Sequence, residues 1–207
     1  THSYHPVKHL TTGEGGAILT NNSDLVEKVK RLRSHGMTKD PSLMDSNDGP
    51  WYYEMHELGY NYRITDFQSA LGSNQLKKLD KFGEERREIA TQYDNSFVNT
   101  MNLKIPKAQS FVEHAYHLYP LQVYFDKINL SKVQFFRKMK NNGINLQVHY
   151  NPIHLQPYYH KSFGFKKGDF PISENFYRYE ISLPIYPQLS SNDTITVINS
   201  ILKLLNT

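Results

Sequence analysis

The sequence of 207 residues contains no cysteine. A disulfide framework and a thiolate metal site are therefore excluded, and the composition is compatible with a reducing compartment. Long apolar runs are also missing, since none approaches the ~20 residues that a membrane-spanning helix needs. No signal peptide is visible. We therefore expect a cytoplasmic protein without a membrane partner.

A concentrated basic surface is missing as well, although the net charge is +4 and the isoelectric point is about 9.0. The basic residues are spread over separate helical segments, such as 28–33 and 77–81. A nucleic-acid site needs a continuous basic stripe and a recognisable module. We expect solvated helix surfaces and no nucleic-acid partner.

The first 83 residues predict a hairpin, two helices and a long loop. Residues 9–20 are predicted to form two short strands around a glycine-rich turn. Ser23 is predicted to cap the first helix. A loop follows over 37–58, and Thr65 begins the next helix with a capping box. These elements alone would bury little apolar surface, so we expect this unit to be incomplete.

The rest of the chain predicts a smaller α/β unit. The chain is expected to bend around Gly83 and to continue as a longer helix. Alternating apolar residues predict strands near 121–125, 144–148 and 181–185. A final amphipathic helix is predicted over 195–205. We therefore divide this α/β chain into an incomplete unit, 1–83, and a compact C-terminal unit, 84–207.

Lys8 lies in a segment that groups an amine, a hydroxyl and an imidazole. Residues 3–8 have the sequence SYHPVK, and the glycine-rich stretch TTGEGGA follows at 11–17. A lysine amine can form a Schiff base with an aldehyde cofactor. The Ser3 hydroxyl, with nearby backbone N–H groups, can bind a phosphate, and His5 could lie beside the ring. The spacing fits a phosphorylated aldehyde held at both ends, but it fits an ordinary solvated lysine too.

Two other kinds of site are not supported. The glycine-rich stretch matches neither common nucleotide-loop pattern, so a simple hairpin turn is the better interpretation. The ten histidines do not form a metal-ligand pattern: His149 and His154 are separated by a proline, and no carboxylate accompanies His114 and His117 in a ligand-like pattern. We expect no metal site.

Blocks along the whole chain resemble the DegT/StrS-type nucleotide-sugar aminotransferases, which are fold-type-I pyridoxal-phosphate enzymes. Besides 3–8 and 11–17, they have the sequences RSHGM (33–37), LGYNYR (58–63), QSALG (68–72), QVHYNPIH (147–154) and SLP (182–184). The resemblance implies that 1–83 is the C-terminal part of the large cofactor-binding domain. Residues 84–207 would be the small C-terminal α/β domain.

The resemblance implies roles for individual residues. Lys8 would bind pyridoxal 5′-phosphate covalently and then carry protons to and from the substrate, and Ser3 would bind the cofactor phosphate. Asn61 would reach the phosphate in the partner's site of a homodimer with shared active sites. His5 and Arg63 would touch substrate or cofactor. The substrate-binding residues would be Gln147, Val148, His149 and Tyr150.

Within the family, the likeness is to transaminases of pseudaminic acid biosynthesis, which make surface-glycan sugars. It implies a ping-pong reaction in which L-glutamate donates the amino group and a UDP-linked 4-keto-6-deoxy-N-acetylhexosamine accepts it. A complete member has about as much chain again before the lysine, including the Asp that contacts the pyridine nitrogen. We therefore expect this chain to be a fragment that is inactive alone.

Two alternatives remain. The chain could be a noncatalytic carbohydrate- or partner-binding module derived from this fold, because tyrosine-rich segments at 51–53 and 158–159 suit sugar stacking. A relative that dehydrates its substrate is disfavoured, because such relatives replace the lysine with histidine.

Overall fold

A computed structural model describes residues 1–206 and divides the chain into two units, Thr1–Leu79 and a second that begins at Asp80. The assignment of 1–83 and 84–207 to the large and small domains of an aminotransferase remains a prediction.

The first unit contains two short hairpins and two helices. Its elements are β1 (His2–Ser3), β2 (Gly16–Ala17), α1 (Ser23–Leu32), β3 (Met37–Thr38), β4 (Glu54–Met55) and α2 (Asp66–Leu76). Strand β1 pairs antiparallel with β2, and β3 pairs antiparallel with β4. The capping box of Thr65 with Gln68 is present, as predicted.

Three local predictions for this unit were wrong in detail. The first strand of the hairpin is His2–Ser3 and not a segment after residue 9. The cap of α1 is Asn22, whose Oδ1 accepts the Leu25 N–H at 3.0 Å. The loop over 37–58 is closed at its base by the β3–β4 pair. Neighbouring Asn and Ser are equally good caps, which explains the shift by one residue.

The second unit is a three-stranded antiparallel sheet with helices. Its strands, in the order β5–β6–β7, are Leu103–Lys104, Tyr119–Val123 and Glu180–Leu183. Its helices are α3 (Leu79–Phe97), α4 (Lys132–Asn141), α5 (Pro157–Phe163), α6 (Pro171–Tyr179) and α7 (Ser191–Leu205). The first residue of α3, Leu79, belongs to the first unit.

Two predictions for this part of the chain were wrong. Gly83 lies inside α3, so the chain does not bend there. The segment 144–148 is not a strand, because its only ladder contact is an isolated bridge between Gln147 and Ser182. The predicted helix at the end of the chain is confirmed as α7.

The apolar core lies entirely in the second unit. Among residues 1–206, every buried apolar side chain occurs at position 89 or later. Tyr93, Phe97 and Leu121 lie at its centre, each at most 1% exposed. The Tyr93 hydroxyl donates to the Pro184 carbonyl at 2.8 Å, so the one polar tip in this group is satisfied.

The first unit, in contrast, has no buried apolar side chain among the described residues. Its buried side chains are polar, and large apolar ones face solvent, including Leu58 at 87% and Phe67 at 91% exposure. Isolated exposed apolar residues are ordinary, but a whole unit without a buried apolar side chain is not. The described residues therefore leave this unit without a core of its own. Among residues 1–206, no helix is both long and apolar enough to cross a bilayer.

Candidate functional site

Lys8 is displayed on a closed loop. The Tyr4 N–H donates to the Gly15 carbonyl at 2.9 Å, and the Thr12 N–H donates to the Tyr4 carbonyl at 3.0 Å. Within the loop, the Lys8 N–H donates to the His5 carbonyl at 2.9 Å, which makes a turn through Pro6. The Lys8 side chain is half-buried. The sequence thus places an amine on a braced turn.

Ser3 and His5 lie at the start of the same loop. The Ser3 hydroxyl oxygen accepts a long, weak hydrogen bond from the His5 N–H at 3.4 Å, which leaves its own hydrogen available to a ligand. His5 Nδ1 accepts from the Val7 N–H at 3.4 Å. Its Nε2 is 4.0 Å from Glu14 Oε1, with both side chains at least half exposed. Ser3, His5 and Lys8 are therefore brought together on one loop.

Asn61 and Arg63 follow a close contact between two backbone segments, one at Gly36 and the other at Gly59. Gly36 has a φ of +70°, and a Cβ there would overlap the Glu57 carbonyl oxygen. A Cβ on Gly59 would overlap the backbone nitrogen of Gly36. This contact lets Asn61 form an antiparallel bridge with the residue after Arg33. Asn61 and Arg63 are both exposed.

A groove of about 950 Å³ lies in the first unit. Of the predicted site residues, only Arg63 lines it. Most of its wall is apolar, with Leu25 and Val29 of α1 and Ile18 among the lining residues. Because Lys8, Ser3, His5 and Asn61 do not line this groove, we do not assign it to the chemistry.

The segment with the predicted substrate-binding residues lies beside β7 in the second unit. Gln147 and Ser182 exchange two backbone hydrogen bonds, of 3.3 and 2.8 Å. Gln147 is exposed, Val148 and His149 are half-buried, and Tyr150 is 71% exposed. The His149 and Tyr150 rings meet edge to face, with centroids 4.6 Å apart. A ring pair is therefore presented at the edge of a rigid strand.

Sequence reasoning missed the buried groups behind this segment. The Glu180 side chain is fully buried and accepts the His149 N–H at 3.0 Å. The Ser182 hydroxyl donates to Glu180 at 2.5 Å and lies 2.7 Å from His149 Nδ1. A glutamate alternating with apolar residues in a predicted strand is the signal that could have pointed to it, because a buried carboxylate needs partners.

A possible cation site in the first unit is explained by loop structure. Asp45, Glu54 and His56 each place one potential ligand atom within 4.8 Å of the others. The two Glu54 oxygens, however, already accept the Asp45 and Ser46 N–H groups at 2.7 and 2.9 Å. We assign Glu54 to the loop, and the expectation of no metal site stays a prediction.

Lys8 thus lies on a braced loop of a chain whose two units both contain helices and strands. Residues 1–202 match the profile of the DegT/DnrJ/EryC1/StrS aminotransferase family. The chain belongs to this family. The predicted family and fold class are thus confirmed.

Named relatives give this membership detail. The chain is 39% identical over 203 residues to the UDP-4-amino-4,6-dideoxy-N-acetyl-beta-L-altrosamine transaminase of Campylobacter jejuni, covering 98% of this chain and 51% of that protein. Helicobacter pylori PseC, an aminotransferase of pseudaminic acid biosynthesis, superposes with a TM-score of 0.87 at 32% identity, covering 98% and 52%.

A third match concerns the cofactor. Streptococcus pneumoniae Spr1654, described as a candidate sugar aminotransferase and solved in its PLP form, has a TM-score of 0.83 at 26% identity, covering 99% of this chain and 50% of that one. The chain spans about half the length of the curated relatives it matches.

Proposed function

We propose that the protein containing this chain transfers an amino group from L-glutamate to a UDP-linked 4-keto-6-deoxy-N-acetylhexosamine, with pyridoxal 5′-phosphate as cofactor. Family membership supports an aminotransferase acting on sugars. The names of the Campylobacter and Helicobacter relatives support this substrate class. The PLP form of Spr1654 supports the cofactor. A cytoplasmic location completes the proposal.

The residues of the Lys8 loop fit this cofactor. Lys8 offers a half-buried primary amine, and Ser3 offers a hydroxyl whose hydrogen is available to a phosphate oxygen. When bound, pyridoxal phosphate supplies an aldehyde that takes up an amino group and a ring that stabilises negative charge on the reacting carbon. We propose Lys8 and Ser3 as the residues that hold its two ends.

The chain's own residues would bind and orient the cofactor and the substrate, and they would transfer protons. The Lys8 amine would remove and return a proton at the carbon that exchanges its amino group. His5 and Arg63 would contact substrate or cofactor. Gln147, Val148, His149 and Tyr150 would contact the nucleotide-sugar, with the exposed Tyr150 ring offering a stacking surface.

A homodimer with shared active sites is part of the proposal. Asn61 is exposed after the close contact of Gly36 with Gly59, and we propose that its amide would bind a phosphate held by a second subunit. The exposed apolar side chains of the first unit also need cover from further polypeptide. The observation that carries the whole proposal is the position of Lys8 on its braced loop within a chain-long family match.

Trapping at Lys8 tests the proposal. The full-length protein is incubated with pyridoxal phosphate and reduced with borohydride, and the peptides are analysed by mass spectrometry. We expect a stable adduct at Lys8, and K8A should lose both the adduct and nearly all transamination. The 207-residue chain alone should show little or no turnover, because we propose that further cofactor contacts come from the rest of the protein.

A neighbouring basic residue provides the matched control. Substitution of exposed Lys28 on α1 should leave both the adduct and turnover unchanged. If Lys8 of the full-length protein stays unmodified while nucleotide-sugars still bind, the chain is instead a carbohydrate-binding module derived from this fold. Normal turnover by K8A would also exclude the proposed mechanism.

A further inference from the structure

A buried carboxylate and a buried hydroxyl are hydrogen-bonded to His149. Glu180 is 0% exposed and Ser182 is 4% exposed. One Glu180 oxygen accepts the His149 backbone N–H at 3.0 Å, and the other accepts the Ser182 O–H at 2.5 Å. Both oxygens are thus met by donors, which is what a buried carboxylate requires.

This arrangement fixes the direction of the next hydrogen bond. A serine hydroxyl has one hydrogen, and that of Ser182 is used in the bond to Glu180. Its oxygen can therefore only accept from His149 Nδ1, which lies 2.7 Å away. Nδ1 must then carry a proton. In a neutral imidazole the other nitrogen, Nε2, is left with a lone pair and acts as an acceptor.

His149 Nε2 is free to meet a ligand. It has no hydrogen-bond partner among residues 1–206. It is also not one of the buried side-chain nitrogen or oxygen atoms of these residues that lack a partner. It belongs to the same ring that meets the exposed Tyr150 side chain. The acceptor therefore lies on the segment proposed to bind the nucleotide-sugar.

We infer that Glu180 and Ser182 are positioning residues that hold His149 as its Nδ1–H tautomer, so that Nε2 accepts a hydrogen bond from a neutral donor of the ligand. Such donors are sugar hydroxyls, an acetamido N–H or a pyrimidine imide N–H. A phosphate oxygen, which only accepts, would not suit a neutral His149. The identity of the ligand rests on the proposed function, whereas the tautomer does not.

The tautomer can be measured directly in this chain. Long-range ¹H–¹⁵N correlation spectra of ¹⁵N-histidine protein, recorded at about pH 8.5 where an ordinary imidazole with a pKa of ~6.5 is neutral, distinguish Nδ1–H from Nε2–H rings. The His149 signals are assigned by their loss in H149Q. We expect the Nδ1–H pattern in the unmodified protein.

Glu180→Gln should invert this pattern. The amide oxygen of the new side chain can still accept the His149 N–H, but its NH₂ group must donate to the Ser182 oxygen. The Ser182 hydrogen is then released to donate to Nδ1, and the ring proton moves to Nε2. Ser182→Ala removes the hydroxyl that joins Glu180 to His149 Nδ1. The His149 ring should then be a mixture of both tautomers.

His154 is the internal control. Its Nε2 lies 2.8 Å from a Glu174 oxygen, so its ring should show the Nε2–H pattern in every variant. An Nε2–H pattern for His149 in the unmodified protein overturns the inference, as does an unchanged pattern in E180Q. If E180Q fails to fold, S182A tests the inference instead. A His149 ring that still shows only the Nδ1–H pattern in S182A would exclude a role for Ser182 in fixing the tautomer.

A binding experiment tests whether the tautomer of His149 affects the affinity for the ligand. UDP-N-acetylglucosamine, which carries all three donor types, is titrated into the full-length protein by calorimetry. E180Q should bind it roughly three- to ten-fold more weakly, the effect of one hydrogen bond. Equal affinity would show that the ligand needs no acceptor at Nε2, which would overturn this part of the inference. The Lys8 trapping experiment is independent of both readouts, so failure here and failure of the proposed function are distinguishable.

Discussion

Glu54 organises the loop between β3 and β4. Besides the Asp45 and Ser46 N–H groups, its oxygens meet the Tyr52 hydroxyl at 3.1 Å and His56 Nε2 at 2.9 Å. The hydrogen bond from the Asp45 N–H, with those from Ser46, Tyr52 and His56, lowers the pKa of Glu54 to about 2, against the opposing effect of burial. Its charged form is therefore tied to the closed loop.

We expect acid to loosen this loop. Because the folded-state pKa lies below the ordinary value of 4.5, the stabilisation is complete above pH 4.5 and is lost as the pH falls towards 2. Trp51, the only tryptophan, lies in this loop and reports on it. Its fluorescence anisotropy should fall across that pH range.

E54Q should show low Trp51 anisotropy already at neutral pH, because an amide cannot accept all of these donors, and should lack the acid step. E84Q changes an exposed helical carboxylate and should retain the step. An identical acid profile in E54Q would show that another group controls the loop.

At the scale of elements, two glycines allow the end of α1 to approach the segment that leads to Asn61. The Tyr60 N–H donates to the Leu32 carbonyl at 2.6 Å, and the His35 N–H donates to the Tyr60 carbonyl at 2.9 Å. Gly36 and Gly59 meet at this crossing without room for a Cβ. The position of Asn61 thus depends on backbone packing.

Gly59→Ala should open this crossing. The added methyl group would overlap backbone atoms that cannot move away as a side chain would, at a cost of about 1–3 kcal/mol. Amide exchange at Tyr60 and His35 should become faster, as measured by NMR. Unchanged exchange would show that the crossing tolerates a side chain.

Gly83→Ala is the matched substitution in a helix. Gly83 lies inside α3, where a Cβ would meet the guanidinium of Arg87 at 3.2 Å, at the far end of a flexible side chain. Alanine favours a helix over glycine by up to about 1 kcal/mol. The variant should be as stable as the parent or more so in urea unfolding. A clear loss would indicate a bend that needs glycine.

These elements show what the sequence could predict. Both capping boxes, at Thr65 and Ser131, depend on residues three apart and were predictable. The strand expected at 144–148 was not found, because alternating residues also occur in a segment that meets β7 at one bridge. Lys8 was indicated by resemblance, but the contact of Glu180 with His149 spans 31 positions and required the fold.

At the scale of the whole chain, burial is unevenly distributed. All buried apolar side chains of residues 1–206 belong to the second unit, and the first exposes a wide apolar surface. Since apolar burial is the dominant favourable contribution to folding, the second unit should be much the more stable of the two when the chain is studied alone.

Hydrogen exchange tests this asymmetry. In the 207-residue chain, the amides of α3 from Ile89 to Phe97 and those of β6 should exchange slowest, while those of Thr1–Leu79 should exchange orders of magnitude faster. If further polypeptide covers the first unit as proposed, that unit should gain protection in the full-length protein. Equal protection of both units in the isolated chain would contradict this expectation.

The uncovered apolar surface of the first unit also has a consequence during synthesis. In any polypeptide that contains this stretch, residues 1–79 leave the ribosome before the segment with the buried core. Exposed apolar side chains such as Leu58 and Phe67 then favour aggregation of the nascent chain. We therefore expect the nascent segment that bears Lys8 to depend on the rapid burial of these side chains to stay unaggregated.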